Sequence, residues 1–312
     1  MAVHPEPHIL LPTASHRNTL ILLHGTSMTG PVFASHLLPT ALLPPTRSHP
    51  QSPDVDASAS RVTLPERFPH CRFVFPTGAP RKTTVFGAKE TNAWFDITDF
   101  GDRTSGEAEM LGGLRESSLS LAALVKEEIE LLYRDGFRGE EKGRLILLGF
   151  SQGAAMGSIL LLGGEMERLG ASDGLGGFVG LSGWLPFRRQ IEAASFVADG
   201  DLFAADGDLL AGDGDLLAPR ARAMGFVREL LHLDAEREGR VGLKAPSNVP
   251  VFLGHGELDP KVRLEWGQQS RDTLHKLGMH VESKVYRGRA HWWTSEEMGH
   301  VAEFLAARWD LQ

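Results

Sequence analysis

Arg144-Leu145-Ile146-Leu147-Leu148-Gly149-Phe150-Ser151-Gln152-Gly153-Ala154-Ala155-Met156 decides the reading of this chain. Residues 145–148 form an apolar run short enough for a buried strand. Residues 154–162, Ala-Ala-Met-Gly-Ser-Ile-Leu-Leu-Leu, read as a helix packed on the sheet. Between them a serine stands between two glycines. A corner that turns a strand into a helix within so few residues leaves no room for side chains beside the serine, so glycine is required there. The helix N-terminus then presents free N–H groups to an oxygen that becomes negative during acyl transfer. Gly-x-Ser-x-Gly also arises by chance; its place after an apolar run and before a helix gives it weight.

Working outward, the same alternation recurs. Residues 19–23 read as a strand that runs into His24-Gly25-Thr26-Ser27-Met28-Thr29-Gly30, and 33–43 as a first helix. Cys71–Phe75 is a strand, 91–100 an aromatic loop containing Asn92-Ala93-Trp94-Phe95-Asp96-Ile97, and Glu107–Arg134 a long amphipathic helix. Strands are expected at 177–181, 249–253 and Val281–Tyr286, with helices at 263–277 and 295–309. Strands alternating with helices imply a mostly parallel sheet covered on both faces, with ligands at the carboxyl ends of the strands. His24, Ser151, Trp184, Asp259 and His291 all follow strand ends.

The chain has 312 residues and is 42% hydrophobic, enough for one large α/β domain over 1–312. Two stretches read as surface inserts: 44–65, rich in Pro, Ser and Asp, and about 187–248. The second contains a tandem seven-residue repeat at 198–218, built on Asp-Gly-Asp-Leu-Leu-Ala. Its spacing fits neither an EF-hand nor a nine-residue calcium repeat, and its glycines disfavour a coiled coil. Most of the net charge of −8 comes from this segment, so the remainder is near neutral. No basic block points to nucleic acid. No apolar run approaches the ~20 residues of a membrane span, and the N-terminus lacks the layout of a signal peptide. The one cysteine, Cys71, excludes an intrachain disulfide framework and a thiolate zinc cluster, and suits a reducing compartment.

A neutral serine is a poor nucleophile and needs a base, which in turn needs an orienting acid. Downstream of Ser151, Asp259 lies in a tight turn after a strand, and His291 just past the last strand. In the order Ser, Asp, His they are read as nucleophile, acid and general base. Imidazole ordinarily titrates near neutrality, which suits proton shuttling. Glu257 should point away, His255 is out of order, and His300 falls within the last helix. Two backbone N–H groups should hold the oxyanion: that of Gln152, and one from the loop after 19–23, read as Thr26.

With these pieces assembled, the chain resembles the acyl-protein thioesterase / phospholipase–carboxylesterase family. The motifs are Leu23-His24-Gly25, Phe75-Pro76 with Ala79-Pro80, Trp94-Phe95-Asp96, Gly149-Phe150-Ser151-Gln152-Gly153, Leu181-Ser182-Gly183-Trp184-Leu185-Pro186, His255-Gly256 with Asp259-Pro260, and His291. The resemblance implies an α/β-hydrolase fold, hydrolysis of acyl thioesters or small carboxylic esters without cofactor or metal, and a cytoplasmic location. It maps the triad onto Ser151, Asp259 and His291, and the oxyanion donors onto Thr26 and Gln152. Its aromatic loop implies that Trp94 and Phe95 line the acyl groove, joined by Trp184, Trp292 and Trp293; core packing is the competing role for each. Asp96 is read as a structural acceptor. Three features depart from the family pattern: Thr26-Ser27 replaces a Gly-Asp pair, Ala290 replaces a glycine, and the segment between Trp184 and Asp259 is unusually long. A general carboxylesterase, and a binding protein without catalysis on the same scaffold, are the alternatives.

Overall fold

The computed structural model describes residues 4–43, 62–135, 143–196, 218–233 and 249–310. Positions 44–61 of the first expected insert and 198–217 of the acidic repeat lie outside the described residues.

The strands are β1 (His8–Leu10), β2 (Asn18–Leu23), β3 (Cys71–Phe75), β4 (Pro80–Thr83), β5 (Lys89–Asn92), β6 (Leu145–Phe150), β7 (Leu175–Leu181), β8 (Val251–Gly256) and β9 (Val281–Tyr286). The helices are α1 (Gly30–Leu37), α2 (Leu64–Arg67), α3 (Glu107–Arg134), α4 (Gln152–Leu162), α5 (Glu165–Arg168), α6 (Arg188–Ser195), α7 (Pro219–Leu230), α8 (Leu264–Lys276) and α9 (Ser295–Arg308). Seven strands form one sheet in the order β1-β3-β2-β6-β7-β8-β9, and only β1 runs antiparallel to its neighbour.

Side-chain alternation explains why both faces are covered. Leu20, Leu22, Ile146 and Leu148 point to the face packed by α1 and α9; Ile21, Leu23, Leu145 and Leu147 point to the face packed by α3, α4 and α8. The register Leu20↔Ile146 and Leu22↔Leu148 aligns the two sets. Every residue of α4 is buried, which is why this helix is apolar all round rather than amphipathic.

Several elements differ from the sequence reading. The first helix ends at Leu37, short of 43. The polar hairpin β4–β5 precedes the aromatic loop. The expected insert at 187–248 contributes α6 and α7, whose Ile191, Ala223 and Val227 enter the main core.

Candidate active site

Ser151 sits at the junction of β6 and α4 with φ 55° and ψ −116°. An L-residue in this region costs roughly 1–3 kcal/mol and persists only where its surroundings enforce it. The enforcement is visible. A Cβ on Gly149 would lie 2.3 Å from the Gly153 carbonyl oxygen, and one on Gly153 would lie 2.1 Å from that of Leu23. Helix α4 is thus pressed against β2, and the corner is forced.

Asp259 follows β8 and His291 follows β9, two neighbouring parallel strands, so residues 32 apart in sequence meet. His291 Nε2 lies 2.9 Å from Ser151 Oγ, and its Nδ1 lies 2.6 Å from Asp259 Oδ2. The other carboxylate oxygen, Oδ1, accepts from the backbone N–H groups of Lys261 and Val262, each at 2.9 Å. Burial pushes the Asp259 carboxyl up, but the hydrogen bonds from His291 and the two backbone groups outweigh it and hold it below the usual range. Asp259 is therefore an anion aimed at one imidazole nitrogen, with the serine on the other.

The rivals are occupied elsewhere. His255 donates from Nε2 to the Val262 carbonyl at 2.8 Å, and burial lowers its pKa. It stands 3.6 Å from Asp259 Oδ2 and shores up that turn. Glu257 accepts the Gly288 N–H, and His300 contacts the Tyr286 hydroxyl.

The loop after β2 closes on the serine from the other side. A Cβ on Gly25 would lie 3.4 Å from Ser151 Cβ, so glycine permits that approach. The Ser27 N–H is tied to the Asn92 carbonyl. Among the described residues, neither the Thr26 N–H nor the Gln152 N–H meets an acceptor. His24, fully buried, donates from Nδ1 to the Gly25 carbonyl and accepts from the Gly78 N–H at Nε2. That fixes a neutral tautomer, and burial lowers its pKa to about 4.

Of the aromatic residues read as groove-lining, Trp94 and Phe95 are fully buried. Trp94 donates from Nε1 to the His24 carbonyl, and Phe95 packs edge-on against Trp184. Neither offers surface to an acyl chain in this structure; core packing claims both. The Gln152 side chain, unforeseen from sequence, bridges to them by accepting the Trp94 N–H and donating to the Phe95 carbonyl. Asp96 accepts from the Thr84 N–H and hydroxyl, a structural role as read. Trp184 and Trp293 are buried, whereas Trp292 is 44% exposed and stacks on Trp293. Phe150 lies 5.1 Å from the His291 ring and props it. Arg103, also unforeseen, is buried beside the Asp259 turn and donates from Nη2 to the Lys261 carbonyl.

A parallel sheet carrying a strained serine between β6 and α4 defines an α/β-hydrolase. The family model for phospholipase/carboxylesterase matches residues 52–205 and 237–308, and the chain belongs to that family. Acyl-protein thioesterase 1 of Gibberella zeae is 26% identical over 300 residues, covering 95% of this chain and 93% of that protein. Acyl-protein thioesterase 1 of Yarrowia lipolytica is 23% identical over 304 residues, covering 96% of each. The crystal structure of Zea mays acyl-protein thioesterase 2 superposes with a TM-score of 0.57 at 22% identity, over 97% of this chain and 99% of that one, and so supports the fold. The protein is an ester hydrolase of this type.

Proposed function

We propose that Ser151 is the nucleophile of an acyl-enzyme mechanism, His291 its general base and then general acid, and Asp259 the group that orients the imidazole. The single observation that carries this is the hydrogen-bonded line from Asp259 Oδ2 through His291 to Ser151 Oγ at a strained corner. Ser151 Oγ bonds to the ester or thioester carbonyl carbon as its proton passes to His291 Nε2. The carbonyl oxygen becomes an oxyanion, held by the N–H groups of Thr26 and Gln152. Collapse expels the alcohol or thiol, which takes the proton from His291. Water, deprotonated by the same nitrogen, then releases the acid and restores the serine.

The substrates proposed are acylated proteins or small carboxylic esters, reached from the names of the relatives. Residues 1–312 are read as one α/β-hydrolase unit in the cytoplasm, requiring no cofactor or metal. Among the described residues, no helix is long and apolar enough to cross a membrane. Trp184 and Trp292 remain the candidates for contact with the acyl group.

Hydrolysis of p-nitrophenyl esters of increasing acyl length, run beside an S-palmitoylated peptide, tests the reading. Ser151→Ala should lower kcat by about 10⁵-fold or more while leaving the fold intact. Unchanged hydrolysis in that variant, or a wild-type serine inert to a fluorophosphonate probe, refutes it. Serine-dependent cleavage of the peptide indicates a protein substrate; cleavage confined to short esters indicates a small-molecule carboxylesterase.

A further inference from the structure

The loop between β2 and α1 carries three side-chain hydroxyls, at Thr26, Ser27 and Thr29. Two of them are engaged. Ser27 Oγ donates to the Thr26 carbonyl at 2.7 Å, and Thr29 Oγ1 accepts the Val32 N–H at the start of α1. The Thr26 hydroxyl meets no partner among the described residues. Thr26 is half-buried, and its Oγ1 is not one of the side-chain oxygens closed off from solvent. Neither a helix cap nor a turn bond accounts for it. Thr26-Ser27 is also one of the places where the chain departs from the family pattern, so this hydroxyl belongs to the chain rather than to the fold.

The backbone sets its place relative to Ser151. A Cβ on Gly25 would stand 3.4 Å from Ser151 Cβ, so the residue just before Thr26 lies against the serine. The turn 25–28 is closed by the Met28 N–H on the Gly25 carbonyl at 3.3 Å, with Ser27 at φ 61°. The Ser27 N–H holds the Asn92 carbonyl at 2.9 Å, and His24 Nδ1 holds the Gly25 carbonyl at 2.7 Å. These bonds fix the backbone on both sides of Thr26 and leave its own N–H open. Covalent geometry keeps a threonine Oγ1 within about 4 Å of its own nitrogen at every staggered χ1, and within about 3 Å in both gauche rotamers. An oxygen that accepts the Thr26 N–H is therefore also within reach of the Thr26 hydroxyl, which turns about one bond.

We propose that the Thr26 hydroxyl is a catalytic residue's donor to the oxyanion, a third beside the N–H groups of Thr26 and Gln152. It transfers no proton. As Ser151 Oγ bonds to the carbonyl carbon, the carbonyl oxygen gains the electron pair of the broken π bond, and Oγ1–H of Thr26 hydrogen-bonds to it. The same bond forms again when water attacks the acyl-enzyme. A neutral carbonyl accepts such a bond weakly and an oxyanion strongly, so the gain falls on kcat rather than on KM. The inference rests on the reading of Ser151 as the nucleophile.

Hydrolysis of p-nitrophenyl butyrate by the full chain tests it, beside inhibition by pentyl trifluoromethyl ketone, which an active serine converts to an anionic hemiketal. Active sites are counted by fluorophosphonate labelling carried to completion, so that kcat refers to folded enzyme. Thr26→Val removes the hydroxyl at nearly constant shape. It should lower kcat by about tenfold or more, leave KM within about twofold, and weaken the ketone by a factor similar to the loss in kcat/KM. Thr26→Ser keeps a hydroxyl and should hold kcat within about threefold of wild type. A loss below about threefold in Thr26→Val, a loss that Thr26→Ser shares in full, or a loss that leaves the ketone bound as tightly as before overturns the proposal. Thr26→Ala, read in the same way, replaces Thr26→Val if the latter does not fold. A wild type that neither hydrolyses the ester nor takes the fluorophosphonate refutes the reading of Ser151, and this inference with it. Serine-dependent hydrolysis that Thr26→Val leaves unimpaired refutes this inference alone.

Discussion

On the β2 side of Ser151, His24 uses both ring nitrogens and its carbonyl, and the Gln152 amide uses its oxygen and its nitrogen. On the β7 side, Arg103 satisfies one nitrogen of three, and the Trp184 indole N–H none. Both clusters are buried, so water offers neither of them easy relief. A buried polar cluster whose members satisfy one another fixes a shape: here it holds the Gly25–Thr26 backbone and the aromatic loop against the serine. A buried cluster that leaves donors open carries the cost of their lost hydration. The contrast separates a cluster that fixes the shape of the site from one that leaves polar groups unmet, although both are equally hidden from solvent.

The first way to break this comparison is to empty the closed side. His24→Ala removes the acceptor of the Gly78 N–H and the donor to the Gly25 carbonyl, and opens a cavity under Trp94. It should cost about 3 kcal/mol of stability in urea unfolding. A loss below about 1 kcal/mol would mean that the network is ornamental rather than structural.

Acid sharpens the same side. His24 titrates near 4 in the folded protein and near 6.5 in the unfolded chain. Above both values its contribution is fully present. As pH falls from 6.5 towards 4, the unfolded chain takes up a proton that the folded one refuses, so stability drains away. The stability gap between wild type and His24→Ala should therefore shrink over that window, by as much as about 3 kcal/mol. Comparing the two proteins cancels other groups, among them Glu297, whose buried carboxyl is pushed up to about 8 and acts with the opposite slope. A gap that widens in acid would show that the imidazole is charged in the fold.

The smallest effect belongs to the open side. Arg103→Met exchanges a cation with unmet donors for an apolar chain of similar length, and should shift stability by less than about 1 kcal/mol. A loss as large as that of His24→Ala would move Arg103 among the residues that build the site.

Much of this arrangement was legible in the sequence. The apolar run 145–148, the Gly-x-Ser-x-Gly corner and the order Ser151, Asp259, His291 are local signals, and a parallel sheet brings strand ends together without further instruction. Cys71–Phe75, Glu107–Arg134 and Val281–Tyr286 coincide with their expected bounds for the same reason. β1 is three residues long and mostly exposed, and β4–β5 is built of Pro80-Arg-Lys-Thr against Lys89-Glu-Thr-Asn; neither carries a hydrophobic alternation to find. Trp94 and Phe95 show why aromatic composition misleads: the same ring can line a groove or fill a core, and only burial decides. Arg103 meets Lys261 across 158 residues, so nothing near it in sequence announces a partner.

The pair Trp292–Trp293 has a further consequence. Of the six tryptophans, Trp292 is the one among the large exposed apolar side chains, and it directly follows His291. Its indole is open to a dissolved collisional quencher, whereas Trp94, Trp184, Trp293 and Trp309 are shielded. Trp266 is half-buried, so the most readily quenched part of the protein's emission originates one residue from the imidazole. The molecule carries an optical reporter at the mouth of its own site, and acylation of the serine should be readable as light without attaching a dye.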